Sequence, residues 1–269
     1  MAKEAPATGT QAGLGRSSDP CWPSKVTAAR ADQPFASGRP VDPGLAAVTV
    51  HHQDRWLVVV NKPAGLLTQP GLGPEQRDSL VLRLQARWPE LRLVHRLDRD
   101  TSGLLLLARD SESHRQLSRA FAERQIQKRY FARVLGSPEA ASGTIDLPIM
   151  KLSHQPPLYG VAASGRPSLT HWQRHQPHAH GQGLLLQPIT GRSHQLRVHL
   201  QAIGHPILGD PLYGQPLAAS LCTRLCLHAC GLAFRHPATG EWLSFASPAR
   251  FPSLEAGTSP PSGAEGLAR

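Results

Sequence analysis

An α+β fold with a long, mixed but mainly antiparallel sheet is what this sequence predicts, and three observations carry that expectation. Short apolar runs such as "WLVVVN", "GLLLLAR" and "LLLQP" recur at strand length. Three intervening segments space their apolar residues at helical intervals. Strands and helices follow one another in irregular order rather than in strict alternation, which argues against an all-parallel α/β sheet. No internal repeat is visible.

Along the chain, residues 1–44 are rich in Ala, Gly, Ser and Pro without periodicity, and read as a flexible tail. The closing "SLEAGTSPPSGAEGLAR", residues 253–269, reads the same way, leaving 45–252 as the folded body. "WLVVVNKPAGLL" starts as a buried strand and breaks at Lys62-Pro63-Ala64-Gly65, a turn signal. "SLVLRLQARWPE" is a helix with Leu80, Leu84 and Trp88 on one side and Pro89 as its stop. "GLLLLAR" is a central strand, and "DSESHRQLSRAFAERQ" a second helix capped by Asp110 or Ser111, with Leu117, Ala120 and Phe121 inward. "KRYFARVLG" returns as a strand. "LLLQPITG" is another, followed by a helix from about Ser193 to Ile203 that Gly204 ends.

Charge narrows the partner. Lys and Arg outnumber Asp and Glu by 29 to 19, and the sequence pI is about 10.2, a balance that favours a polyanionic partner, with a soluble protein of basic bias an equal alternative on charge alone. No apolar run approaches the roughly 20 residues of a membrane span, and the first residues lack an apolar signal core, so a cytoplasmic protein is expected. Cys222, Cys226 and Cys230 surround His228 in "CTRLCLHACGLAF". No C-x-x-C pair is present, and Cys226, His228 and Cys230 alternate as in a strand with one face buried, so a core strand is preferred to a metal site.

Three clusters are candidates for chemistry. In "LVHRLDRDTSG", Asp98 lies between Arg96 and Arg99, and neighbouring cations favour an ionised carboxylate. That suits a nucleophile or a charge-stabilising group; the plain alternative is a solvated loop of compensating charges. A glycosidase pair of Asp98 and Asp100 is disfavoured because such pairs usually come from separate segments. In "TGRSHQLRVHLQAIGHPILGDPLYG", Ser193 is placed to cap the helix and leave its amides facing a phosphate, with Arg192 and Arg197 adding positive charge. Arg197, next to the inward Leu196, is placed to reach a buried carboxylate from the core's edge. In "QKRYFARVLG", alternation puts Tyr130 on the side of Ala132 and Val134, as a core aromatic or as a ring that stacks on a base.

Together, "VVNKPAGLLTQPG", "HRLDRDTSGLLLLARD", "KRYFARVLG" and "PITGRSHQLRVHLQAIGHPILGDPLYG" resemble, in order, the signature segments of the RluA family of pseudouridine synthases, from about His51 to Phe251. The resemblance implies the pseudouridine synthase fold, with an RNA-binding cleft in a catalytic domain spanning 45–252. It implies isomerisation of specific uridines in structured RNA, ribosomal RNA and/or a tRNA anticodon arm, by base flipping and exchange of the C1′–N1 bond for C1′–C5. Asp98 then matches the catalytic aspartate, and Arg96 the arginine entering the space of the flipped nucleotide. Tyr130 matches the stacking tyrosine, Arg197 the basic partner of the aspartate, and Leu196 an apolar wall. Arg99, Arg192 and His194 are further expected RNA contacts, whereas Asp100 receives no chemical role. The isomerisation needs no redox cofactor, and neither a cofactor nor a metal is expected. A monomer is expected. The alternative is a non-catalytic RNA-binding or chaperone protein that keeps the fold.

Overall fold

The computed structural model describes residues 48–154 and 157–252; the expected tails, 1–44 and 253–269, lie outside the described residues. The chain runs β1 (Thr49–Gln53), β2 (Leu57–Lys62), α1 (Leu80–Gln85), β3 (Arg92–Leu93), β4 (Ser102–Ala108), α2 (Ser111–Ala122) and β5 (Gln127–Leu135). It continues with β6 (Ser142–Asp146), β7 (Ile149–His154), β8 (Pro157–Val161), β9 (Leu169–His178) and β10 (Gly181–Pro188). Then come α3 (Gln195–Ala202), α4 (Gln215–Ser220), β11 (Leu227–Arg235) and β12 (Trp242–Ala246).

Ten strands form one sheet in the order β1-β2-β4-β11-β5-β10-β9-β6, with β3 and β12 paired to β4 and β11; β7 and β8 form a separate hairpin. Among the described strand pairs, only β4–β11 is parallel. The expected mixed, mainly antiparallel α+β architecture is therefore the observed one.

The apolar runs are continuous because the sheet's first half is covered on both faces. Val58, Val60, Leu105 and Leu107 pack with Leu80 and Leu84 of α1 on one side. Leu57, Val59, Leu104 and Leu106 pack with Leu117 of α2 and with Phe245 on the other. In the second half, Ala132, Val134, Leu184 and Leu186 pack with Leu196 and Leu200 of α3. Tyr130 touches the clusters of both halves, so it sits on their seam.

Several boundaries differ from expectation. Helix α1 ends at Gln85, short of Pro89, although Trp88 beyond it is buried as expected. Ser193 does not cap α3: the cap position is His194, in a left-handed conformation with φ 56°, and no side chain caps the helix there. Gln195 tightens that turn instead, its Oε1 accepting from the Arg192 N–H at 3.0 Å and the Thr190 hydroxyl at 2.7 Å. The segment holding His228 is a core strand, but buried on both faces through most of its length rather than on one. His228 Nδ1 meets Ser102 Oγ at 2.9 Å, which ties β11 to the start of β4.

Candidate active site

Asp98 stands on the loop just before β4, and the sequence explains why that loop is rigid. Gly103 adopts φ +121°, and a Cβ there would collide with the backbone of Ala229 on β11, so the parallel strand can approach only because the residue is glycine. Thr101 N–H donates to the Asp98 carbonyl at 3.2 Å and closes a turn around the carboxylate. From behind, the Lys62-Pro63-Ala64-Gly65 turn grips the same loop. The fully buried Lys62 Nζ donates to the carbonyls of Pro63, Leu66 and Arg99 at 2.8, 2.7 and 2.8 Å. Gly65 N–H donates to the Arg99 carbonyl at 3.0 Å, and Thr68 Oγ1 donates to the Leu97 carbonyl at 2.8 Å. Burial lowers the Lys62 ammonium to about 7, against the pull of Asp100 and Asp98.

Arg197 comes from the other half, on α3. Its Nη1 is 3.8 Å from Asp98 Oδ2, an ion pair too long for a hydrogen bond. Its main partner is Asp210: Nε and Nη2 each donate to one carboxylate oxygen at 2.7 Å. Side-chain exposures of 3% for Arg197 and 0% for Asp210, against 22% for Asp98, make the cation a fixed element and leave the aspartate reachable. Burial opposes the Arg197 charge, yet the bonds and charge of Asp210 raise its pKa above the usual value. Asp210 Oδ1 also accepts from the N–H groups of Leu212 and Tyr213 at 2.9 and 3.1 Å. The guanidinium lies 4.9 Å over the Tyr213 ring.

The two segments line a cavity of about 500 Å³ that also takes in Arg96, Tyr130, Arg192, His194 and Leu196. Seven of the eight expected site residues are thus brought together. The exception is Arg99, which is not among the lining residues: its Nε donates to the Gly65 carbonyl at 3.2 Å and lies 3.8 Å from Asp100. It braces the loop from outside. Arg96 is exposed at the cleft and donates to Ser193 Oγ at 3.3 Å, linking its two walls. His194 lines the cavity half-buried, with its Nδ1 2.8 Å from Tyr213 Oη and its ring edge-on to Tyr159 and Tyr213. The Tyr159 N–H donates to that same phenol oxygen at 3.0 Å, so Tyr213 ties the turn before α3 to β8. Burial, with the nearby Asp98 charge, pushes the Tyr130 phenol well above its ordinary value, so it keeps its proton near neutrality.

Sequence reasoning missed Asp210, Tyr213, Lys62, Lys128 and Thr101. Lys128 and Arg124 line the cavity beside His95, whose Nε2 accepts the Leu106 N–H at 2.9 Å. That bond needs a neutral imidazole, in keeping with a pKa lowered to about 3 by burial and by Lys128. Thr101 also lines the cavity, and its buried hydroxyl has no hydrogen-bond partner.

Comparison with known proteins gives a consistent picture. The family described as RNA pseudouridylate synthase matches residues 56–202. The dual-specificity RNA pseudouridine synthase RluA of Escherichia coli (strain K12) is 42% identical over 214 residues, covering 79% of this chain and 96% of that protein. Its counterpart from Pasteurella multocida (strain Pm70) is 44% identical over the same length, 79% of this chain and 96% of that protein. Among solved structures, human RNA Pseudouridylate Synthase Domain Containing 1 superimposes with a TM-score of 0.63 at 30% identity, over 75% of this chain and 83% of that one. Human RNA Pseudouridylate Synthase Domain Containing 4 gives 0.60 at 28% identity, over 76% and 88%.

Proposed function

This chain belongs to the RNA pseudouridylate synthase family, on its RluA branch, and isomerises uridine in RNA; from that premise we propose Asp98 as its catalytic group and stem-loops of more than one RNA as its substrates. The observation that carries the assignment is the partly exposed Asp98 carboxylate, 3.8 Å from a buried Arg197 that is itself fixed by Asp210. A non-catalytic RNA binder has no use for such an arrangement, since a carboxylate at the base of a basic cleft opposes RNA affinity.

Breaking the C1′–N1 bond develops positive character at the sugar and negative charge on the leaving uracil. Asp98 acts on the sugar side, either as a nucleophile at C1′ or as the base that opens a glycal-type elimination. Arg197 keeps the carboxylate ionised and aimed, because a preorganised charge in a sheltered site needs no rearrangement during the reaction. Leu196 beside it is an apolar wall that excludes water. Tyr130 carries the uracil on its ring while the base turns, and its protonated hydroxyl serves as a donor rather than a base. Arg96, exposed at the rim, fills the space the nucleotide leaves and offsets an unstacking cost of a few kcal/mol. Arg192 contacts the RNA backbone; Arg99 and His194 contribute through the loop and the turn they brace.

Two RNA classes, ribosomal RNA and the tRNA anticodon arm, are the proposed substrates, because the bacterial relatives are described as dual-specificity enzymes. Residues 45–252 act as one catalytic domain, working as a monomer in the cytoplasm with its RNA. Among the described residues, no helix is long and apolar enough to cross a membrane. The test is tritium release from RNA labelled at uridine C5, the position that loses its hydrogen when C1′ attaches. Asp98→Asn is expected to release no tritium while still binding the stem-loop; release at the wild-type rate would remove Asp98 from the mechanism.

A further inference from the structure

Away from Asp98 the cavity has a second concentration of charge, in which Arg192 is joined by two cations with no role so far. Asp98 is the one carboxylate among its lining residues, while Arg96, Arg124, Lys128, Arg192 and Arg197 all line it. Arg197 is neutralised by Asp210 and Asp98, and Arg96 donates to Ser193. Lys128, Arg124 and Arg192 differ: among the described residues, no carboxylate pairs with any of them, and Arg192 Nε is buried without a hydrogen-bond partner.

These three cations come from separate elements that converge. Arg124 ends the turn after α2, Lys128 is the second residue of β5, and Arg192 follows the Thr190-Gly191 turn. A Cβ on Gly191 would sit 3.8 Å from Lys128 Nζ, so the ammonium lies against the backbone next to Arg192. Lys128 and Tyr130 are two residues apart on β5 and share a face, which separates their Cα atoms by about 7 Å. Burial, with a smaller part from the like charge of Arg124, lowers the Lys128 ammonium to about 8. An arriving anion relieves the repulsion between these like charges and gives the buried Arg192 N–H its missing acceptor.

We propose that Lys128, Arg124 and Arg192 form a second anion subsite in the cleft, which takes a phosphodiester adjoining the extruded uridine and sets the register of the strand over Asp98. This rests on the reading of the cleft as the RNA site. With the base on Tyr130, the strand is then held at two points, at the rim by Arg96 and along β5 by Lys128. Register, rather than affinity alone, is what a second grip supplies, because phosphate contacts position the strand without reading its bases.

The experiment uses the full chain and a synthetic tRNA anticodon stem-loop carrying C5-tritiated uridine, plus a series in which each phosphate near that uridine is replaced by a neutral methylphosphonate. With wild type, one replacement next to the target uridine is expected to weaken binding about tenfold. With Lys128→Met, the unmodified RNA should bind about tenfold more weakly, the slope of log Kd against log salt should fall by about 0.7 to 0.9, and that same methylphosphonate should cost nothing further. Lys128→Arg should restore the slope. Arg124→Gln, at an exposed position where folding is not at stake, should reproduce the lost sensitivity in part. If Lys128→Met and Arg124→Gln both leave the salt slope and every methylphosphonate penalty at wild-type values, the subsite is overturned. Failure of the wild type to release tritium from any stem-loop would instead overturn the substrate reading, a separate outcome.

Discussion

The loop that carries Asp98 is held from behind by backbone carbonyls gathered on one ammonium, whereas the helix that carries Arg197 is held by a buried pair of opposite charges. Both solutions fix one functional group of the cleft, yet they fail differently. A loop clamped through neutral acceptors loosens when its donor is lost. A helix pinned by an ion pair is left with an uncompensated charge when either partner goes, and the cost of burying that charge remains. The aspartate side of the cleft is therefore tuned for position, and the arginine side for charge.

The largest expected effect breaks the arginine side. Asp210→Ala leaves the Arg197 guanidinium buried without its bidentate partner and should cost about 3–5 kcal/mol in urea unfolding, with tritium release lost. Combining Asp210→Leu with Arg197→Met should recover most of that stability and none of the activity. If the double variant stays as unstable as the single, the cost lies in packing or in the lost acceptor of the Leu212 and Tyr213 N–H groups rather than in the buried charge.

Next comes the carbonyl clamp. Lys62→Met takes the shared donor from three carbonyls, leaving Arg99 O with only the Gly65 N–H and those of Pro63 and Leu66 without it, and should cost about 2–3 kcal/mol, with kcat falling more than KM rises as Asp98 loses its aim. The sign of its pH dependence follows from the lowered ammonium. Folded Lys62 loses its proton near 7, while the unfolded chain keeps it to about 10.4. Between those values the unfolded state binds more protons, so stability rises with pH across that window and is lowest below it. Lys128, lowered to about 8, acts in the same direction. Unfolding measured from pH 7 to 10 should show a shallower rise in Lys62→Met than in wild type; an unchanged rise would exclude Lys62 as its source.

Smaller effects sharpen the contrast within each wall. Thr101→Val should leave stability within about 0.5 kcal/mol, because the hydroxyl has no partner to lose. A drop in turnover of roughly tenfold, near 1.4 kcal/mol, would mark that hydroxyl as a substrate contact; unchanged turnover would make it a bystander. Ser193→Ala should be smallest of all, below about 0.5 kcal/mol, since a true helix cap would cost about 1 kcal/mol.

The sequence made one wall far more readable than the other. Asp98 was conspicuous because a polar cluster runs straight into an apolar strand, a juxtaposition visible in eleven residues of text. The turn at Lys62 was visible too, but its burial was not, since Lys-Pro-Ala-Gly carries ordinary turn chemistry and lysine is rarely enclosed. Asp210 sits thirteen residues from Arg197, just before Pro211, where an aspartate reads as a turn former; only the packing of α3 against that turn makes it a counter-ion. Strands β6 and β9 went unread because their sequences are polar along much of an exposed face. In β9 only Thr170 and Trp172 are buried, too few to establish a period.

The position of β11 has a consequence for the newly made protein. This strand, residues 227–235, lies between β4 and β5, so the elements carrying Asp98 and Tyr130 become sheet neighbours only through a segment synthesised more than ninety residues later. A chain still emerging from the ribosome therefore has every side chain proposed for the centre before it has the strand that joins β4 to β5. A truncated product ending before β11 lacks the strand between β4 and β5 and should be silent toward the RNA that surrounds it.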